Sequence, residues 1–396
     1  MGYNLDAATT GTINVAQAAL IVSAAGTQNI TLSDQASGLT LNAAVETFTL
    51  GNFANTVTLG TAAGSLAQHV AGGSSTDVLT LGAGAYTGNW SSISGLSLVA
   101  GSTSIAGVNS GAAFTGTPTL LITGGGTVTM TAAQYAGLGA ITAAGTDAIT
   151  LTGAGNVTAD AAIETYNLGA DGRTITLGAG TGATHVTGGA AADTLAVAAG
   201  ITTSGTIDLA GGANLVTLGA GAVLGPVTAG GGTLASITLQ GTTASMTAAD
   251  HALAVDIIAT GTGGTAENLT LTTQATSALA LDADVETYTL GDFANSVTLG
   301  AAAQVVVGGS GIDTVATGAL TVTSSSDLGA DTNVVAVGAG GNISGATFTA
   351  TGGTVGYNLD AATTGTINVA QAALIVSAAG TQNITLSDQA SGLTLN

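Results

Sequence analysis

One long segment occurs twice in this chain without a single change. Residues 2–42 read GYNLDAATTGTINVAQAALIVSAAGTQNITLSDQASGLTLN, and residues 356–396 repeat the same letters 354 positions later. Val355 stands where the first copy has Met1. An unchanged internal copy of this length is typical of a periodic array. We therefore expect the chain to hold one full unit, 2–355, and the beginning of the next unit, 356–396.

Within this unit, a diverged repeat recurs three times. VETFTLGNFANTVTLG begins at Val45, IETYNLGADGRTITLG at Ile163 and VETYTLGDFANSVTLG at Val285, so the three copies are nearly evenly spaced. Each is followed by a glycine pair and an aspartate, in GGSSTD, GGAAAD and GGSGID. We therefore divide the chain into the end part of a module at 1–42, module 1 at 43–160, module 2 at 161–282 and module 3 at 283–396.

Short runs in which threonine alternates with an aliphatic residue, such as VTLG, TITLG and TVTMT, predict β-strands bounded by turns. Aromatic residues make up only 3% of the chain and 63 residues are glycine, so the core must be thin and its layers close. We expect an all-β parallel β-solenoid with turns of about 20 residues. Tandem β-sandwich domains are the alternative. The segments TAAQYAGL and VAQAALIV are predicted to be a single helical turn or a loop.

The charge of the chain excludes several classes of partner. Arg173 is the only Lys or Arg, against 22 Asp and Glu, which gives a formal net charge of -21. Nucleic acid requires a basic surface, and anionic membranes repel an acidic one. No apolar run is long enough to span a membrane. We therefore expect neither a nucleic-acid partner nor membrane insertion. Without cysteine, the chain has no disulfide and no thiolate metal site.

The sharpest local motif is GGSGIDTVA in module 3, which matches the calcium-binding nonapeptide pattern. Through this motif and its composition the chain resembles bacterial RTX (repeats-in-toxin) secreted proteins, and the surface-layer and giant surface proteins that share the motif. The resemblance implies a calcium site at Asp313, Gly309 and Gly311, and also at Asp193 and Asp77, whose motifs lack the third glycine. In that family, calcium lies between consecutive motifs, and no tandem copy follows here. The alternative is a turn whose aspartate caps backbone N–H groups.

Three glutamates, Glu46, Glu164 and Glu286, occupy the same position in the three modules. Paired carboxylates can act as acid and base in polysaccharide cleavage. Such chemistry usually recruits Lys or Arg to stabilise negative charge, and only one module has an arginine. We therefore interpret these glutamates as an architectural hallmark, either outward-facing or hydrogen-bonded to the backbone of a neighbouring turn.

The three histidines are not close in sequence. His69 and His185 precede the glycine pair in modules 1 and 2, whereas module 3 has Val306 at that position. His251 aligns with Tyr135 of the preceding module. A metal or catalytic role would therefore be lost in most copies, and we interpret all three as structural.

Together these features favour a structural protein: a repeat segment of an extracellular bacterial filament, surface layer or giant surface protein. We expect it to associate with copies of itself, end to end or laterally, and to have no enzymatic activity. The alternative is an RTX-like, calcium-dependent adhesin that binds other cell-surface polymers, with calcium as its cofactor. A polysaccharide-acting enzyme and, from the Thr-x-Thr runs, an ice-binding protein rank below both.

Overall fold

The computed structural model describes residues 47–59, 69–260 and 267–367, together with nine short segments. Those segments are 2–5, 10–13, 20–23, 29–32, 37–41, 65–67, 372–377, 381–386 and 394–395. The chain divides into two compact units. The first comprises Met1–Asp193 and Gly205–Gly212, and the second comprises Thr194–Ser204 and Ala213–Asn396.

The strands are short, and most have three to seven residues. In the first part of the chain they are Gly2–Leu5 (β1), Thr10–Ile13 (β2), Leu20–Ser23 (β3), Asn29–Leu32 (β4), Ser37–Leu41 (β5), Thr47–Thr49 (β6), Thr56–Leu59 (β7), Ser65–Ala67 (β8), His69–Ala71 (β9), Val78–Leu81 (β10), Gly84–Gly88 (β11), Trp90–Ser91 (β12), Gly95–Val108 (β13), Thr119–Thr131 (β14), Ile141–Ala144 (β15), Ala148–Thr152 (β16), Val157–Thr158 (β17), Thr165–Asn167 (β18), Thr174–Leu177 (β19), His185–Thr187 (β20), Thr194–Val197 (β21) and Ile207–Asp208 (β22).

The remaining strands are Ala213–Leu218 (β23), Ala222–Val223 (β24), Val227–Thr228 (β25), Thr233–Leu239 (β26), Thr243–Met246 (β27), Ile257–Ala259 (β28), Asn268–Leu271 (β29), Leu279–Ala280 (β30), Thr287–Leu290 (β31), Ser296–Thr298 (β32), Val305–Val307 (β33), Thr314–Gly318 (β34), Ser325–Asp327 (β35), Asp331–Val337 (β36), Asn342–Ile343 (β37), Thr347–Thr349 (β38), Gly353–Leu359 (β39), Thr364–Ile367 (β40), Ala372–Ser377 (β41), Asn383–Leu386 (β42) and Thr394–Leu395 (β43). The helices are Ala132–Ala136 (α1) and Ala248–Leu253 (α2), with a 3-10 turn at Asn109–Gly111.

In the first unit, successive turns of the chain stack in parallel. One ladder runs β1, β3, β5, β7, β10, β13, β14, β16, β18, β20 and β22, and another runs β2, β4, β6, β9 and β12. Each strand pairs with strands of the turns before and after it. Ala148 pairs with Thr165, and Gly101 pairs with Gly126, so the turns are short and unequal in length. A chain that returns to the same ladder after each short turn is a parallel β-solenoid.

The second unit has the same organisation. Its ladders run β21, β23, β26 and β28; β24, β27, β29, β31, β33, β35 and β38; β30, β32, β34, β36, β39, β41 and β43; and β37, β40 and β42. These pairings are parallel too, as in Val334 with Gly356 between β36 and β39. The predicted parallel β-solenoid is therefore confirmed. The β-sandwich alternative is wrong, because sandwich strands pair antiparallel.

The core is a single inward row of side chains on each strand. In β10, Leu79 and Leu81 are buried while Val78 and Thr80 are partly exposed, as the period-two alternation predicts. Aliphatic residues fill most inward positions, and a few large rings, such as Phe48 and Tyr288, fill the rest. Rows from successive turns stack on one another and bury apolar area at each turn. Residues that contact each other in neighbouring rows therefore lie one turn apart in the sequence.

Two sequence predictions concerned helical turns. TAAQYAGL contains α1, whose Thr131 accepts a hydrogen bond from the N–H of Gln134 in a capping box. In VAQAALIV, the part in Leu20–Ser23 is a strand, so neither a helical turn nor a loop is correct there. The rest of that segment lies outside the described residues. The division into three modules stays a sequence-based prediction.

The two identical segments form the same strand pairings in both places. Gly2 pairs with Leu20 in the first copy, and the equivalent residues of the second copy, Gly356 and Leu374, pair in the same way. Likewise β2 pairs with β4 and β40 with β42 in one common register. Their outer neighbours differ, because β5 of the first copy pairs with β7, whereas β39 of the second copy pairs with β36.

Candidate functional site

The aspartates of the three glycine-pair motifs occupy equivalent, fully buried corners. Asp77, Asp193 and Asp313 each have 0% exposed surface. In each, Oδ1 accepts a hydrogen bond from a backbone N–H one turn earlier. The donor is the N–H of Asn55 for Asp77, at 3.2 Å, and that of Arg173 for Asp193, at 3.1 Å. The carboxylate therefore ties one turn of the solenoid to the preceding turn.

In module 3 the same bond runs from the N–H of Asn295 to Asp313, at 3.2 Å. The Asn295 side chain adds a second donor, since its Nδ2 lies 2.8 Å from the same oxygen. That Nδ2 also donates to the backbone oxygens of Gly291 and Phe293. Burial raises the pKa of Asp313, and the Asn295 donors partly offset this. Asn295 therefore links the Asp313 carboxylate to the turn that contains Asn295.

The sequence analysis missed this asparagine, although it recurs as FAN in two hallmarks. Asn55 of module 1 makes the same contacts, with Nδ2 2.7 Å from Asp77 Oδ1 and 3.0 Å from the backbone oxygen of Leu50. Module 2 has Arg173 at this position. A polar residue at one fixed place in all three hallmarks was the signal that could have revealed the corner.

The glycine pair exists because two backbones approach each other closely. A Cβ on Gly73 would lie 1.6 Å from the backbone oxygen of Gly51, and a Cβ on Gly189 would lie 1.4 Å from that of Gly169. The second glycine also donates its N–H to the aspartate in these two modules, over 2.8 Å and 3.0 Å to Oδ2. A side chain at this position would separate the two turns and break both bonds.

In module 3 the predicted calcium glycines face the preceding turn in the same way. A Cβ on Gly309 would lie 2.6 Å from Asp292 Oδ1, and a Cβ on Gly311 would lie 2.3 Å from the backbone of Phe293. Among the residues that the structure describes, no three His, Cys, Asp or Glu side chains form a group able to hold a metal ion. The described carboxylates of Asp77, Asp193 and Asp313 accept protein N–H groups, as the capping alternative expects. Calcium binding stays a prediction.

The hallmark glutamates bond to the backbone of a neighbouring turn. Glu164 Oε2 accepts from the N–H of Asp147 at 2.8 Å, and Glu286 Oε2 accepts from the N–H of Glu267 at 3.0 Å. This is one of the two placements that the architectural interpretation expects. Glu46 lies outside the described residues.

Each of these glutamates has a second buried carboxyl beside it, which the sequence analysis did not anticipate. Asp147 is fully buried, its Oδ1 accepts from the N–H of Gly126 at 2.8 Å, and burial raises its pKa. For Glu286, burial raises the pKa, but the hydrogen bonds from Glu267 outweigh burial, so the pKa lies below its usual value. These pairs join turns within each unit, and no basic side chain faces them in the described hydrogen bonds.

His69 and His185 play one common role. His69 Nδ1 accepts from the backbone N–H of Asn89 at 3.0 Å, and His185 Nδ1 accepts from that of Thr206 at 2.9 Å. Each imidazole therefore holds the next turn of the chain, in agreement with a structural interpretation.

A cleft of about 430 Å³ lies beside α1 in the first unit, lined by Tyr135, Asp160, the polar residues Asn156 and Thr158, and aliphatic residues. The hydroxyl of Tyr135 lies 2.7 Å from that of Tyr166 and donates to the backbone oxygen of Thr158 at 2.9 Å. Tyr166 in turn accepts from the N–H of Asp160. Every hydroxyl of this pair is satisfied, and burial raises the pKa of Tyr166.

The matching cleft of the second unit, about 520 Å³, lies beside α2 and is lined by His251 and Asp282. His251 Nε2 lies 2.9 Å from the hydroxyl of Tyr288, which accepts from the N–H of Asp282. This hydrogen bond links the two side chains, and which of them donates depends on the tautomer of the imidazole. Nδ1 has no hydrogen-bond partner within the described residues, and burial lowers the pKa of His251 to about 4.

Comparisons with known proteins identified no relative of this chain. No protein-family model, no curated protein and no solved structure matches the chain. Within the described part of the chain, neither helix has the length and apolar character that crossing a membrane demands.

Proposed function

We propose that this chain is a structural repeat segment of an extracellular bacterial filament, surface layer or giant surface protein. The observation that carries the proposal is the common register of the two identical segments, one of which pairs with β7 and the other with β36. One sequence thus has a defined neighbour on each side. A further unit can be added without any new interface.

The contacts that hold the turns together are local along the stack. Asp77 reaches Asn55 one turn earlier, and Glu286 reaches the backbone of Glu267 one turn earlier. Stability in such a protein is approximately a sum of nearest-neighbour terms. A long array is therefore as well held at each turn as a short one, and length itself becomes the property that the protein supplies.

A location outside the cell is supported by the charge and by the position of Arg173. This residue is the only Lys or Arg of the chain and is 4% exposed. The folded chain therefore offers trypsin-like proteases no accessible cleavage site. The formal net charge of -21 favours solubility at high local concentration.

The test uses proteins that contain one, two and three consecutive copies of the unit 2–355. We expect the particle length in electron micrographs to grow by one constant increment per unit, with no change in the thermal unfolding midpoint between two and three units. Separate compact particles joined by flexible linkers would contradict the array. Gold-labelled antibody on intact source cells tests the location, and label confined to permeabilised cells would contradict it.

A second experiment, with and without calcium, distinguishes the structural segment from a calcium-dependent adhesin. Melting curves of the chain in calcium and in chelator should coincide if Asp313 and its equivalents accept only N–H groups of the protein. A midpoint that rises with calcium concentration would favour the adhesin.

A further inference from the structure

The first of the two identical segments covers one particular surface of the chain. That surface consists of the strands Thr47–Thr49 (β6) and Thr56–Leu59 (β7), on which the strands Asn29–Leu32 (β4) and Ser37–Leu41 (β5) are stacked. Two parallel ladders therefore join the segment 2–42 to the rest of the chain. We name β6 and β7 together the docking surface.

The docking surface contains apolar side chains that are buried in the folded chain. Phe48, Val57 and Leu59 lie within it and are all 0% exposed. Removing the stacked strands would leave these side chains in water along with a row of unpaired backbone groups, which is an edge that recruits another strand.

The chain contains a second segment that fits this surface, because residues 356–396 are identical to residues 2–42. The fit extends to conformation. β42 and β40 pair in the register of β4 and β2, and β43 and β41 pair in the register of β5 and β3. The segment that fits the docking surface is therefore present twice in the chain. Residues 2–42 occupy the surface, and residues 356–396 are the second copy.

We propose that the docking surface of one chain binds residues 356–396 of a second copy of this chain whenever its own segment 2–42 is displaced. Thr385 of the second copy would then pair with Thr49, and Leu395 with Leu59, in the register that Thr31 and Leu41 have now. The contact is head to tail, so it propagates into chains of molecules. The inference depends only on the repeat and on strand register, and not on the proposed function.

In the intact protein the chain's own segment has the advantage of its tether. Only residues 42–46 separate β5 from β6, and so short a link gives the segment an effective concentration of about millimolar or above at its own surface. A second copy at micromolar concentration offers identical contacts without that advantage. At micromolar concentration the intact chain is therefore expected to be monomeric, with segment 2–42 as an internal competitor of assembly. The end-to-end association expected from the sequence requires that this segment is displaced from the docking surface.

The experiment changes one residue in either of the two identical segments of the full chain. Thr31→Pro lies in β4, which pairs on both sides, with β2 and with β6, so loss of its N–H weakens the stacked segment. Thr385→Pro is the same change in the second copy. The two proteins have identical composition, and the solution mass is measured by light scattering across a range of concentrations.

We expect the T31P chain to reach at least twice the 37.1 kDa of one chain as its concentration rises, while T385P stays at 37.1 kDa. The double variant T31P/T385P, which has a vacant surface but no competent donor segment, should also stay monomeric. Equal masses for T31P and T385P, or oligomers of the double variant, would overturn the proposal.

A second matched pair guards against misfolding. Thr40→Pro and Thr394→Pro make the same comparison in the other ladder, because Thr40 pairs with Thr58 in β7. Resistance of the buried Arg173 to trypsin shows in every variant that the surrounding turns remain folded. If neither T31P nor T40P associates while Arg173 stays protected, the docking surface does not take a second copy.

Discussion

Modules 2 and 3 build the same corner with a different residue at one position. In module 3, Asn295 Nδ2 donates to Asp313 and to two backbone oxygens. In module 2, Arg173 keeps only part of this pattern: its Nε donates to the backbone oxygen of Asp171, but Nη1 and Nη2 have no hydrogen-bond partner in the described residues. Burial lowers the pKa of Arg173, with Asp193 and Asp171 acting in the opposite direction.

The comparison shows which part of the corner the fold depends on. The aspartate and its bond from the N–H one turn earlier are present in both modules, at 3.1 Å and 3.2 Å. The side chain that assists the carboxylate differs between them. Any residue other than proline can supply the backbone N–H donor. The aspartate that accepts this N–H is therefore the fixed element of the corner, and the side chain that assists the aspartate can vary.

The largest expected effect is the loss of the acceptor. Asp313→Ala leaves the backbone N–H of Asn295 without its acceptor in a buried site, whereas Asn295 Nδ2 keeps the backbone oxygens of Gly291 and Phe293. We expect a loss of about 3 kcal/mol in the free energy of unfolding, since each unmet buried donor costs about 1–3 kcal/mol. Urea unfolding followed by circular dichroism measures it. The exposed Asp256→Ala is the matched control and should change little.

An intermediate effect is expected from exchanging the differing residue. Arg173→Asn gives module 2 the residue of the other two modules. It also removes a buried guanidinium whose Nη1 and Nη2 make no hydrogen bond within the described part of the chain, although Nη2 lies 3.8 Å from Asp171 Oδ2. We expect the free energy of unfolding to rise by about 1–2 kcal/mol, because a buried charge with incomplete hydrogen bonding is costly. The reverse change, Asn295→Arg, should destabilise. If R173N is less stable than the parent chain, the arginine contributes packing that the asparagine corner does not need.

The smallest effect concerns a position at which modules 1 and 2 differ, Tyr135 in module 1 and His251 in module 2. The His251 pKa falls from 6.5 in the unfolded chain to about 4 in the folded one. The folded state therefore loses stability as pH falls from 6.5 toward 4, because only the unfolded state takes up the proton. His251→Tyr gives module 2 the residue that module 1 has at this position, and removes this loss.

We expect the stability of the H251Y variant relative to the parent chain to increase by about 2 kcal/mol between pH 7 and pH 5. The raised pKa values of Asp193 and Asp313 act in the opposite direction, but they are common to both proteins and cancel in the difference. Urea unfolding at the two pH values gives the measurement. A difference that does not depend on pH would show that His251 does not titrate as a buried base.

Much of the fold follows from local pattern. The alternation in runs such as TITL at Thr174–Leu177 places apolar residues on one side of each strand, and the structure buries Ile175 and Leu177. The helical turn in TAAQYAGL follows from its Thr-x-x-Gln capping box. Leu20–Ser23 was not predicted as a strand, because a short apolar run that contains alanine fits either state.

The candidate sites followed from the sequence less completely. The glycine-pair aspartates were predicted to be calcium ligands or, alternatively, turn residues that cap backbone N–H groups, and the structure shows that they are fully buried acceptors of such groups. Asn55 and Asn295 were missed, because the partner of each lies 22 and 18 residues further along the chain. The buried Asp147 beside Glu164 was missed for the same reason.

The sequence by itself determined that this protein repeats, that its strands are short and that its net charge is strongly negative. These properties depend on the order and charge of neighbouring residues. Only the tertiary structure decided which N–H each buried carboxylate meets, and that Tyr288 faces His251 across 37 residues. Hydrogen bonds between adjacent turns span 17 residues at Glu164 but 25 residues at Thr119. Because the turns differ in length, residues become neighbours only once each turn has closed.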